Sequence, residues 1–67
     1  MKIYITAIVS IKPDFREEVL QVLKNMVQKT QEEGGCELYR LHQNNEDENT
    51  FVFYEIWKNE AALSAHN

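Results

Sequence analysis

A chain of 67 residues makes one small domain, and a formal charge of −4 with seven scattered Lys and Arg excludes the clustered basic face of a nucleic-acid binder. No run approaches the roughly 18 apolar residues of a transmembrane helix, and the N-terminus lacks the charged start, apolar run and small-residue cleavage site of a signal peptide. Cys36 is the only cysteine, so an internal disulfide is impossible; no Cys/His cluster has zinc spacing, and one free thiol suits a reduced, cytoplasmic setting.

Lys2 to Lys12 alternates with period two, which predicts a strand. Ile3, Ile5, Ala7, Val9 and Ile11 share an apolar face expected to pack on helices. Tyr4, Thr6, Ile8 and Ser10 share a mixed face suited to a cavity wall or a subunit interface. Pro13 then suits a first helical position. Phe15, Val19, Val22, Leu23, Met26 and Thr30 recur at helical spacing, with Leu20 and Val27 widening the stripe, so an amphipathic helix of about five turns is expected. Gly34 is placed to end it in a left-handed conformation.

Cys36 to Gln43 reads as a second strand, residues 44–49 as a polar loop, and Thr50 to Trp57 as a third strand rich in aromatic and β-branched residues. Asn59 is a good N-cap for a second helix, with Glu60 at its positive end. The order β-α-β-β-α is a ferredoxin-like α+β unit without its last strand. Residues 1–67 are thus expected to form one incomplete domain, with the first strand left as a sheet edge. A domain this small buries only about 60% of its unfolded surface, so a partner subunit is the expected source of extra stability.

On the third strand, Phe51, Phe53, Glu55 and Trp57 share one face, and Val52, Tyr54 and Ile56 the other. The second set matches the apolar face of the first strand and is expected under the helices. Glu55 and Trp57 would then point away from the helices beside Thr6 and Ile8. A face carrying an acid, two Phe and a Trp requires cover; with two sheets face to face, it would line a cavity in a homodimer.

Gly35-Cys36, Tyr39, the Phe51–Trp57 strand with its Glu-x-Trp, and Ala62-Leu63 followed by His66 resemble the antibiotic biosynthesis monooxygenase family of the dimeric α/β-barrel superfamily. The similarity covers Lys2 to Asn67, about the first two-thirds of a typical member. The resemblance implies paired ferredoxin-like subunits forming a β-barrel, with a pocket between sheet and helices or at the barrel edge. It implies oxidation of aromatic phenols or quinols by dioxygen with no prosthetic group or metal. Other relatives degrade haem or act on small metabolites as isomerase-like enzymes. The haem-degrading branch uses an asparagine on the first strand, and this strand has none, which disfavours haem.

Cofactor-free oxygenation needs a base, hydrogen bonds to the oxyanion and a dry aromatic pocket. The expected catalytic residues are His66 for proton transfer, since histidine titrates near neutral pH, with Trp57 and Glu55. Phe53, His42, Thr6 and Ile8 are expected to bind substrate, Phe53 and Trp57 stacking on the ring and Glu55 or His42 orienting it. Each has a structural reading beside it: Trp57 as core or interface, Glu55 as an ion-pair or capping group, His42 as solvated, Cys36 as a small buried hydrophobe. The alternatives to an oxygenase are a non-catalytic dimeric ligand-binding or assembly domain, and an enzyme on a small non-aromatic metabolite.

Overall fold

The computed structural model describes residues 1–66. The elements are β1 (Ile3–Ser10), a 3-10 turn (Pro13–Phe15), α1 (Arg16–Gln31), β2 (Cys36–Gln43), β3 (Thr50–Trp57) and α2 (Glu60–His66). The sheet order is β1-β3-β2, with β3 antiparallel to both neighbours. β1 and β2 therefore run parallel and need the long crossover that α1 supplies. This is the ferredoxin-like α+β arrangement, with β1 at one sheet edge among the described residues.

Pro13 opens the crossover as expected, but as one 3-10 turn closed by Phe15 N–H donating to Lys12 O at 2.9 Å. α1 ends without a left-handed glycine, since neither glycine has positive φ. Its last carbonyls are met instead by tight bonds, from Glu32 N to Lys29 O at 3.2 Å and from Glu33 N to Thr30 O at 3.0 Å. The buried arc of α1 is narrower than the expected stripe. Leu23 and Thr30 are buried and Val19, Leu20 and Val27 half-buried, while Phe15, Val22 and Met26 are exposed. The helix packs chiefly on β2, and one strand covers less of a helix than a whole sheet would.

Ile11, Leu23, Tyr39, Phe51, Phe53 and Trp57 form the buried core, edged by Ile3, Ile5, Ala7 and Val9. At roughly 1.5–3 kcal/mol for each large apolar side chain fully buried, the aromatic residues of β3 dominate it. This reverses the expected facing of that strand. The register pairs Ile3 with Trp57, Ile5 with Glu55, Ala7 with Phe53 and Val9 with Phe51. Residues directly opposite in an antiparallel ladder share a face, so Glu55 and Trp57 lie on the helix side, not with Thr6 and Ile8. The three rings outweigh Val52, Tyr54 and Ile56 in apolar area. Glu55 is tolerated there because its Oε1 accepts a hydrogen bond from Trp57 Nε1 at 2.9 Å.

The other face of the sheet is open. Tyr4, Thr6 and Ile8 lie on it with Val52, Tyr54 and Ile56, and Tyr4 and Ile8 are 71% and 73% exposed. On β2 the pairing shifts between Cys36 and Leu38, leaving Glu37 as an extra residue. That bulge returns Cys36 to the helix side with Tyr39, while Leu38, Arg40 and His42 stay on the open face. The loop before β3 is built by its own side chains. Asn44 Oδ1 accepts from Glu46 N and Asp47 N at 2.7 and 3.1 Å, and Asp47 accepts from Asn49 N and Thr50 Oγ1 at 2.9 and 2.8 Å.

Candidate functional site

Trp57 ends β3 on the helix face, and the chain turns at once into α2. Asn59 caps that helix as expected, its Oδ1 accepting from Ala62 N at 2.9 Å. Lys58 N–H donates to Gly35 O at 2.9 Å, tying the turn to the start of β2. A Cβ on Gly35 would overlap that of Ala62. The glycine is therefore present for close approach, allowing α2 to rest on the backbone of the α1–β2 link.

Docked in this way, α2 carries His66 over Trp57. The two rings are 4.6 Å apart at 37°, and Tyr39 lies 5.8 Å from His66 and 6.3 Å from Trp57. Phe53 continues the cluster, 5.2 Å from Tyr39. His66 Nδ1 is 2.9 Å from Glu33 Oε2, contributed by the link between α1 and β2. Glu55 is half-buried, with Oε1 held by Trp57.

Tyr39 is buried, and burial is the main cause that pushes its phenol above the usual value, reinforced by the charge of Glu55, by Cys36 and by Glu33 and opposed by a hydrogen bond with Thr30. Burial likewise pushes the Cys36 thiol up, helped by Glu33 and Glu55. Both groups are therefore protonated near neutral pH. Among the described residues, no three His, Cys, Asp or Glu side chains converge as metal ligands, and no helix is long and apolar enough to cross a membrane.

The structure thus brings Phe53, Glu55, Trp57 and His66 together and leaves Thr6, Ile8 and His42 on the opposite face. There His42 meets Tyr54 edge-on at 5.0 Å. Glu33 joins the cluster without any sequence signal, being 33 positions from His66. Tyr39 also belongs to it, and its pairing with Glu55 follows once the β2–β3 register is known. Trp57 has 0% exposure and Phe53 is buried, so neither is open to a ligand while α2 is docked. A groove of about 250 Å³ reaches the flank of the cluster at Cys36 and Tyr39. A larger one, about 430 Å³, runs between α1 and β2 past Lys24, Val27 and Leu41, away from His66.

The sequence profile of the antibiotic biosynthesis monooxygenase family matches residues 2–67. The chain belongs to this family. Among its relatives, the "Putative monooxygenase YcnE" of Bacillus subtilis is 42% identical over 65 residues, covering 97% of this chain and 68% of YcnE. Protein sll1783 of Synechocystis sp. is 33% identical over 58 residues, covering 87% of this chain. A crystal structure of an antibiotic biosynthesis monooxygenase superposes with a TM-score of 0.91 at 36% identity, over 98% of this chain. This family member spans 40% of the length of sll1783 and 68% of that crystallised chain.

Proposed function

We propose that this domain is a cofactor-independent monooxygenase acting on a small phenolic or quinol substrate. The observation that carries the reading is the convergence of His66, Trp57 and Glu55 on the helix face of a monooxygenase-family fold. The substrate ring lies against Ile3, Ile5 and Ala7, half-buried and outside the main footprint of α1. His66 takes the proton of the hydroxyl. Glu55 Oε2, which has no hydrogen-bond partner among the described residues, accepts from a second hydroxyl, while Trp57 fixes Oε1.

The phenolate then gives one electron to dioxygen. The resulting superoxide and phenoxyl radical combine at a ring carbon that bears hydrogen. His66 returns its proton to the peroxide so formed, and elimination of the ring hydrogen together with the distal oxygen as one water molecule leaves a carbonyl, so one oxygen atom enters the product and the other leaves as water. Lowering solvent access around the anion strengthens the hydrogen bonds that hold it. Two subunits pair through the open sheet face, where exposed Tyr4, Ile8 and Tyr54 call for cover.

The complete enclosure of Trp57 supports a second reading, a non-catalytic assembly or ligand-binding domain in which the aromatic cluster is core. Oxygen uptake with 1,4-naphthohydroquinone in the presence of a chelator separates the two. Turnover that falls about 100-fold in His66→Ala supports the oxygenase. Uptake indistinguishable from the uncatalysed rate supports the second reading, and unchanged uptake in both His66→Ala and Trp57→Ala removes the residue assignments.

A further inference from the structure

We infer that Glu33 is a positioning residue of this site: its carboxylate holds His66 in the Nδ1–H tautomer and leaves Nε2 as the nitrogen that accepts the substrate proton. The inference deepens the proposed oxygenase and rests on it for its catalytic meaning. Its structural half stands on geometry alone. A carboxylate accepts hydrogen bonds and does not donate them, so at 2.9 Å the shared hydrogen belongs to Nδ1. A neutral imidazole carries one N–H, so Nε2 then has its lone pair free. Nε2 has no hydrogen-bond partner among the described residues.

Glu33 is well placed to hold the ring. Its backbone is tied on both sides, N–H to Thr30 O at 3.0 Å and C=O to Cys36 N at 3.1 Å. Trp57 and Tyr39 limit the ring's rotation from two other directions. The remaining titratable groups around His66 are the Tyr39 phenol and the Cys36 thiol, both protonated at neutral pH, and Glu55, already bonded to Trp57. Glu33 is thus the carboxylate in direct contact with the imidazole. When a substrate hydroxyl gives its proton to Nε2, Nδ1 keeps its own, and the imidazolium forms against Glu33. The base–orienter geometry is that of a nucleophile's activating pair, used here on a substrate hydroxyl.

Long-range ¹H–¹⁵N correlation spectra of the ¹⁵N-labelled chain, above neutral pH, report the tautomer directly, with exposed His42 as internal reference. The expected result is Nδ1–H for His66 in the native chain. Nε2–H should become populated in Glu33→Gln, which has the same shape but offers both a donor and an acceptor. Glu33→Asp keeps the carboxylate and should keep the tautomer in part. Oxygen uptake with 1,4-naphthohydroquinone should show kcat falling about 10- to 100-fold in Glu33→Gln with KM little changed, and partly restored in Glu33→Asp. An Nε2–H tautomer in the native chain overturns the inference. So does a tautomer and kcat unchanged by Glu33→Gln, or a kcat loss that only follows the folded fraction in thermal melts. If the native chain consumes no oxygen, the oxygenase reading fails and the tautomer spectra alone decide the role of Glu33.

Discussion

Replacing Gly35 by alanine adds one methyl group at the point where α2 rests on the α1–β2 link. That methyl overlaps the Cβ of Ala62 and comes within 3.4 Å of its Cα. The obstacle is helix and backbone rather than the far end of a flexible side chain, so α2 must lift as a unit. Overpacking of this kind costs about 1–3 kcal/mol. Lifting the helix also weakens the Lys58–Gly35 bond and the contact of His66 with Glu33 and Trp57. In a domain of this size each kcal/mol lowers the melting temperature by about 4–8 °C, and with a urea slope near 1 kcal/mol/M the midpoint falls by about 1 M or more. Unfolding followed by Trp57 fluorescence measures the loss, and the folded variant's emission should shift to the red as α2 uncovers the indole. The decisive arm is the double variant. Ala62→Gly alone costs up to about 1 kcal/mol of helix propensity, yet it removes the obstructing Cβ and should recover much of the Gly35→Ala loss. A coupling energy below about 0.5 kcal/mol, or native stability in Gly35→Ala, would refute the packing argument.

Trp57→Phe should cost about 3 kcal/mol in denaturant unfolding, because a wholly buried indole is lost and Glu55 Oε1 loses its donor; a cost within 0.5 kcal/mol would contradict the role given to that bond. Ile8→Lys on the open face should leave monomer stability nearly unchanged, within about 0.5 kcal/mol, but shift sedimentation equilibrium toward the monomer; a dimer of undiminished affinity would contradict pairing through that face. Tyr39 and Cys36 have raised values in the folded chain. Their protons are therefore lost first by the unfolded state, stability is fully present below their ordinary values, about 10 for the phenol and about 9 for the thiol, and it should fall as pH rises through and beyond them. Tyr39→Phe should flatten the upper part of that decline in a pH series of urea midpoints.

Much of the fold was legible from local pattern. The limits of β2 and β3, the polar loop between them and the Asn59 cap follow from alternation and turn chemistry, and the structure keeps them. The phase of β3 did not follow. Both its faces carry apolar residues, and only the ladder with β1, a long-range fact, decides that Trp57 and Phe53 lie under the helices. The expected limits of β1 were too wide for a related reason: the ladder ends at Ser10, and Ile11 N–H instead donates to Asn49 O at 2.8 Å. Gly34 was expected to stop α1 in a left-handed conformation and does not adopt one, and the reason for Gly35 is a neighbour in space, Ala62.

The candidate site divides in the same way. Glu55 and Trp57 were legible as neighbours on one face of β3, but their meeting with His66 follows only from the reversed facing, which turns them toward α2. Thr6 and Ile8 were grouped with them through the facing of β3 and separate once that facing reverses, and His42, expected to help orient the substrate, lies with Thr6 and Ile8 on the open face. Glu33 was invisible because its partnership with His66 depends on how α2 docks, which is set by packing at Gly35 rather than by any spacing in the chain.

The most direct test of a monooxygenase centred on His66 is the fate of isotopic oxygen. With ¹⁸O₂ and 1,4-naphthohydroquinone, in the presence of a chelator, mass spectrometry of the product should find one ¹⁸O atom incorporated into a hydroxynaphthoquinone, at a rate that collapses in His66→Ala. Naphthoquinone free of ¹⁸O with hydrogen peroxide formed, or labelled product at the same rate in His66→Ala, would contradict the account.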